Sequence, residues 1–264
     1  MSNYYIAALL GVIEGLTEFL PVSSTGHLIL FVDLLGFQAP PGKTFEVMIQ
    51  LGAVLALIAL YFRKLWATLI GLPFEAAARR FALVVLLAFL PAMVLGALLH
   101  GFIKEVLFSQ TVVAAALIVG GVVILVVEQM QKRELYKTVE EIPPLTGFIV
   151  GVAQTLALIP GVSRSGATII GGLLMGLERR TAAEFSFFLS IPTMSAAFAY
   201  DAYKNREALS FDDAGLIAVG FVSAFVAALL VVKPFLAVVS KIGFAPFAFY
   251  RVALGVFVLT LLYL

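Results

Sequence analysis

The sequence predicts an all-α integral membrane protein: an inverted-topology repeat, each half a re-entrant helical hairpin plus three transmembrane helices. Three observations lead there. Of 264 residues, 62% are hydrophobic and 12% charged, with a mean hydropathy of +1.09, whereas soluble domains are about half apolar and about a quarter charged. Many apolar runs approach the ~20 residues of a spanning helix, and alternating strands of about ten residues are missing, so the spans are helical. A polar stretch of the first half also returns in the second at a constant offset of 140 residues. The net charge of +1 gives no sign of nucleic-acid binding, and the lack of cysteine excludes disulfides and thiolate metal sites. Lys43 is the first cation, so a cleaved signal peptide is not expected.

Residues 3–20 are apolar apart from Glu14, Thr17 and Glu18, and the run stops at Pro21. The next segment, Ser24 to Leu35, has 12 residues, too few to span, so 3–35 reads as a hairpin that enters and leaves by one face. Three fuller spans follow, about Thr44–Phe62, Phe81–His100 and Thr111–Glu128, and then a charged linker over 131–144. This divides one membrane domain, 1–264, into repeat one (about 1–130) and repeat two (about 145–264).

The second half restarts the pattern. Identities fall at Gly11/Gly151, Val12/Val152, Leu16/Leu156, Val22/Val162, Ser23/Ser163 and Gly26/Gly166, with Glu14 opposite Gln154. A short arm (Ser165–Leu177) and a span led by Glu184, as Glu46 leads its counterpart, precede spans at about Ala214–Val232 and Pro246–Leu264. A hairpin that does not cross plus three spans is an odd count, which places the second half upside down. Inverted repeats with broken helices set their site near the midplane, so the breaks Pro21–Gly26 and Pro160–Gly166 are expected to meet. One face collects eleven Lys and Arg (63, 64, 79, 80, 132, 133, 137, 179, 180, 233, 241) against four on the other (43, 104, 204, 206). The first face is then cytoplasmic, and both termini and the mouth of the first hairpin lie outside.

Ionisable groups at membrane depth are costly, which makes the cluster Glu14 to His27 a candidate site. Glu14 and Glu18 share one helix face. Two carboxylates so close either keep a proton or hold a cation, and Mg²⁺ or Ca²⁺ would suit their oxygens and bring phosphate oxygens with it. The plainer alternative is a pair satisfied by hydroxyls or water. Ser23, Ser24, Thr25 and Gly26 precede an apolar run, as at a helix N-terminus where free N–H groups bind anions. Their hydroxyls are caps or a nucleophile, and His27 is a general base or a structural histidine. In the second break Arg164, between Ser163 and Ser165 and followed by Gly166 and Thr168, has no acid nearby in sequence. Its fork suits phosphate, or a structural pair with Glu14 or Glu18. Glu46 with Gln50, and Glu184 with Ser186, are expected to support the hairpins; Arg251, His100 and Glu128 read as snorkelling residues near span ends.

These motifs resemble the bacterial undecaprenyl pyrophosphate phosphatases of the bacitracin-resistance type. The similarity covers essentially the whole chain: Glu14-Gly-Leu-Thr-Glu18, the P-V-S-S-T-G-H from Pro21 to His27, and P-G-V-S-R-S-G-A-T from Pro160 to Thr168. The resemblance implies metal-dependent hydrolysis of a polyprenyl diphosphate to the monophosphate and phosphate, recycling the lipid carrier of cell-wall synthesis at an externally open site. It maps function onto Glu14, Glu18, Ser24, His27 and Arg164, with Ser23, Thr25, Ser163, Ser165 and Thr168 in support. Joined with the residues' own chemistry, it makes Glu14 and Glu18 the metal ligands, Arg164 and the two N-termini the phosphate site, and Ser24 the nucleophile with His27 as its base. Direct attack by water is the alternative. Expected partners are the prenyl lipid and the bilayer; a homodimer is compatible with the sequence. The rival function is a secondary transporter or lipid-phosphate flippase, which the architecture alone would favour.

Overall fold

The computed structural model describes residues 3–38, 44–102, 109–130, 134–204 and 213–263. Those residues form helices joined by short turns. In order they are α1 (Asn3–Thr17), α2 (Ser24–Leu35), α3 (Thr44–Leu60), α4 (Phe62–Gly71), α5 (Ala76–Phe102) and α6 (Gln110–Gln129). After a 3-10 turn at Val139–Glu141 come α7 (Pro144–Gln154), a second 3-10 turn (Thr155–Leu158), α8 (Arg164–Leu174), α9 (Arg179–Lys204), α10 (Ala214–Ile242) and α11 (Ala245–Tyr263). Among the described residues five helices are long and apolar enough to cross a membrane, or six if α3 and α4 form one bent span. The chain is thus a multi-pass, all-helical membrane protein.

The expected short second segment matches α2 in both bounds, while α1 stops at Thr17, short of Pro21. α5, α6, α9 and α10 are longer than the expected spans: α9 begins five residues before Glu184, and α10 continues through Pro234 to Ile242. The third segment ends where the sequence places its end, near Phe62, but a further helix follows it. There the chain turns by 72° at Tyr61 into α4, which exposes Phe62, Trp66, Leu69 and Ile70 beside Arg63 and Lys64. A basic, aromatic helix of that kind suits a membrane interface.

Packing runs in matched pairs across the two halves. α1 packs on α10 as α7 packs on α5; α10 packs on α3 as α5 packs on α9; α6 meets its counterpart α11. Glycine permits the closest approaches. A Cβ on Gly11 would lie 2.2 Å from the Gly220 carbonyl oxygen, and one on Gly151 would lie 2.2 Å from that of Ala88. Small residues of this sort let membrane helices touch at the backbone.

The charged linker is not a free tether over its described part. The N–H of Leu135 donates to the Gly176 carbonyl at 2.8 Å and that of Glu178 to Tyr136 at 3.0 Å, so the chain entering α7 lies beside the chain leaving α8. Val139 and Ile142 are buried there, and Lys64 pairs with Glu140. In the first half Ile6 and Leu10 of α1 share a buried cluster with Phe37, just past α2. Lys43, Lys104, Arg206, the linker's 131–133 start with Lys132 and Arg133, and the side chains of His100 and Lys204 lie outside the described residues.

Candidate active site

The two breaks have one local geometry. Ser23 and Ser163 both take positive φ, 67° and 75°, a region that costs a side-chain-bearing residue and gathers at functional sites. Each caps the short helix after it: Ser23 Oγ accepts the Gly26 N–H at 3.3 Å and Ser163 Oγ accepts that of Gly166 at 3.1 Å. The first helical residue past each cap is then Ser24 in α2 and Arg164 in α8.

Those two residues meet on Glu18. Arg164 Nη2 lies 3.1 Å from Glu18 Oε1, and Ser24 Oγ donates to Oε2 of the same carboxylate. Arg164 is held from behind: its Nη1 donates to the Ser186 carbonyl at 2.8 Å. Thr168 steadies this corner: its Oγ1 lies 2.7 Å from Ser186 Oγ and 3.0 Å from the carbonyls of Arg164 and Ser165. Ser165 Oγ crosses between the breaks to the Leu20 carbonyl at 2.7 Å and lies 3.0 Å from Ser163 Oγ. Glu18, Ser23, Ser24, Ser163, Ser165 and Thr168 are all buried, while Thr25 is half-buried. The Gly26 and Gly166 amides are spent on these caps, which leaves the amides before them in each first turn to face the site.

Glu14 stands one turn below Glu18, fully enclosed, and neither of its carboxylate oxygens has a hydrogen-bond partner. Glu18 and Glu46 add their charge to its surroundings, with Arg164 opposing. A buried carboxylate without a partner is expensive, and either a proton held between Glu14 and Glu18 or a hard cation would satisfy it. Among the described residues no three His, Asp or Glu side chains gather round one point. Glu14 and Glu18 are the two carboxylates that would hold a divalent cation here.

His27 does not meet Ser24. Its Nδ1 lies 2.8 Å from the Ser23 carbonyl, which can only accept, so Nδ1 carries hydrogen. Its Nε2 lies 2.6 Å from the Tyr250 hydroxyl, and the two rings stack at 5.5 Å. Tyr250 was not picked out in the sequence, although a Tyr-Arg pair inside an apolar span was the available signal.

Its neighbour Arg251 corrects an expectation. It does not snorkel: it is fully buried. It donates to the carbonyls of Pro21 (3.1 Å), Gly161 (3.1 Å), Val162 (2.9 Å), Ala116 (3.1 Å) and Leu117 (3.4 Å). Kinked turns leave carbonyls without helical donors, and one planar fork supplies both breaks. Glu128 also does more than snorkel, since it accepts from Arg179 and, at 2.9 Å, from the Phe244 N–H. Of the supporting pairs, Ser186 holds Arg164, whereas Glu184 pairs with Arg180 at 3.2 Å, away from the site.

A cavity of about 560 Å³ lies between α3, α5 and α9, with Gln50, Phe89, Met93, Leu158 and Thr193 in its wall. Thr193 also bonds Gln154, the counterpart of Glu14, at 3.4 Å.

The family model described as bacitracin resistance protein BacA matches residues 7–257. The chain is 56% identical over 250 residues to undecaprenyl-diphosphatase 1 of Agrobacterium fabrum, covering 94% of this chain and 93% of that one. It is 53% identical over 265 residues to the undecaprenyl-diphosphatase of Caulobacter vibrioides, covering 100% and 99%. A third relative, undecaprenyl-diphosphatase 2 of Paramagnetospirillum magneticum, is 55% identical over 251 residues, covering 94% and 95%.

Proposed function

The chain belongs to the bacitracin resistance protein BacA family, and from that premise we propose that it hydrolyses undecaprenyl diphosphate to the monophosphate and inorganic phosphate. This returns the lipid carrier of cell-wall synthesis to use. The observation that carries the reading is the chain Ser24–Glu18–Arg164, in which one buried carboxylate holds a hydroxyl and a guanidinium from opposite breaks.

The diphosphate enters between the breaks, and its prenyl chain lies along the apolar cavity of α3, α5 and α9. Arg164 and the first-turn amides of α2 and α8 bind the terminal phosphoryl oxygens and stabilise the charge that builds on them. Ser24 Oγ attacks the terminal phosphorus, and its proton passes through Glu18 to the prenyl monophosphate as the bond to that leaving group breaks. Water then cleaves the phosphoserine, releasing phosphate and restoring the hydroxyl. His27 holds the strained Ser23–Ser24 turn through the Ser23 carbonyl, and it acts as Ser24's base only by releasing one of its present bonds. Glu14 and Glu18 would hold the divalent cation, which when bound supplies Lewis-acid charge neutralisation.

The architecture we propose is one membrane domain of two inverted halves, each led by a re-entrant hairpin, with the site open to the periplasm and both termini outside the inner membrane. The exchanged helix pairing supports the repeat, and the adjacency of Tyr136 and Leu177 supports a second hairpin that leaves by the face it entered.

The test is phosphate release from a long-chain prenyl diphosphate in detergent, comparing wild type with Glu18→Gln and Arg164→Ala, with and without EDTA. Detergent removes any gradient, so a carrier would release nothing. Metal-dependent release lost in both variants supports the phosphatase, and no release from folded wild type with metal present would replace it with a transporter.

A further inference from the structure

The exchanged packing of the halves generates a second cavity. The first lies among the start of α3, the Pro91 region of α5 and the far end of α9. Exchange α3 with α9 and α5 with α10, and the counterpart should lie among the start of α9, the Pro234 region of α10 and the far end of α3. A cavity of about 390 Å³ occupies that place. The two sit at opposite ends of α9, since Thr193 and Asp201 line the first and Arg180 and Glu184 the second.

Their linings differ. Leu60, Val232, Leu236 and Ala237 keep the apolar floor of the second cavity, but Arg180, Lys233 and Tyr61 join its wall. Lys233 stands where Leu90 stands relative to the proline of the first copy. It is exposed and has no ion-pair or hydrogen-bond partner among the described residues. Arg180 spends only Nε on Glu184. Two cations against one carboxylate leave a positive rim above an apolar floor, on the side of the molecule where Arg180 follows the linker contact at Leu177.

We propose that this cavity seats an anionic phospholipid, its phosphate between Arg180 and Lys233 and its first acyl carbons on Leu60, Val232 and Leu236. The inference rests on the repeat and on this lining, not on the phosphatase reading, and the site is distinct from Glu14–Arg164. Charge complementarity selects the occupant: a zwitterionic lipid would bring its own cation to a positive rim, and a soluble anion would leave the apolar floor uncovered.

The experiment is native mass spectrometry of protein purified in detergent and given phosphatidylglycerol, phosphatidylcholine or inorganic phosphate. Wild type should retain phosphatidylglycerol over phosphatidylcholine, and Arg180→Gln/Lys233→Gln should lose roughly tenfold of that preference, since each basic residue near a bilayer surface adds to attraction for anionic lipid. Lys233→Gln alone, at an exposed position that leaves packing untouched, should lose part of it. Equal retention of both lipids by wild type, or an undiminished preference in the variants, overturns the proposal. So does displacement of the lipid by millimolar phosphate, which would make the ligand free phosphate. Prenyl diphosphate hydrolysis by the double variant, expected at the wild-type rate, shows that it is folded and keeps this outcome separate from that of the phosphatase reading.

Discussion

Arg251 in α11 donates from Nη1 to the carbonyl of Pro21 at 3.1 Å, although 230 residues separate them. The same guanidinium reaches Gly161 and Val162 in the other break. Its charge has no carboxylate partner among the described residues; it is tolerated because five carbonyl dipoles converge on it. This ties the two halves at the point where Ser24 and Arg164 must meet.

Arg251→Met should therefore destabilise the protein by about 3 kcal/mol or more, because it orphans several buried carbonyls, each costing about 1–3 kcal/mol. Arg251→Lys should rescue little, since an ammonium cannot span both breaks. Thermal unfolding in detergent checks both; an unchanged midpoint in Arg251→Met would remove the residue from this role.

Ser24 bonds to Glu18, and His27 bonds to Tyr250, which separates their expected phenotypes. Ser24→Ala should lose roughly 10³-fold or more in turnover, as removal of a nucleophile does, and wild type should give a trapped phosphoserine in rapid quench. Tyr250→Phe removes one neutral hydrogen bond and should cost roughly two- to tenfold, with the phosphoserine still trapped. No phosphoserine, together with appreciable turnover by Ser24→Ala, would shift the attack to water.

Much of this was legible in the sequence because membrane depth makes polar residues stand out. Glu14, Glu18, Ser24 and Arg164 are costly where they lie, and repeat and motif together announce that Ser23 and Ser163 occupy equivalent turns. Two things were hidden. Arg251 sits near the end of its apolar run, where a cation looks like a snorkelling one, and only the fold shows that carbonyls freed by the breaks converge on it. The direction of His27 was hidden as well: three residues from Ser24 puts the imidazole within reach, but the choice between Ser24 and Tyr250 depends on how α11 packs. The expected span ended at Phe62, one residue past the bend at Tyr61, but the helix α4 after it was hidden, because its basic residues read as the end of a span.

The glycines matched between halves make a prediction from packing alone. Gly11→Ala and Gly151→Ala each place a methyl 2.2 Å from a carbonyl oxygen of the facing helix. Backbone cannot yield as a side chain can, so each should cost about 1–3 kcal/mol, the range for overpacking. Gly36→Ala meets no atom within 4 Å and has only its φ of 58° to contend with, so it should cost less. Unfolding midpoints of the three variants in one detergent decide it; equal loss at all three would detach the effect from helix contact.

Topology is open to direct test because the chain has no native cysteine. Asn3, Gln38 and Lys137 are all exposed, and each can carry a single cysteine. α1 and α2 lie between Asn3 and Gln38; if they form a re-entrant hairpin, both cysteines react with an impermeant maleimide from the same side. The bent pair α3–α4, then α5 and α6, lie between Gln38 and Lys137; three crossings put Lys137→Cys on the opposite side, protected in intact cells and labelled after lysis. Asn3→Cys and Gln38→Cys on opposite faces would make the first hairpin a true span. Gln38→Cys and Lys137→Cys on one face would make the number of crossings in the first half even, and an even number leaves the second half parallel to the first. In that case Ser23 and Ser163 would lose the antiparallel approach that the meeting of Ser24 and Arg164 on Glu18 requires.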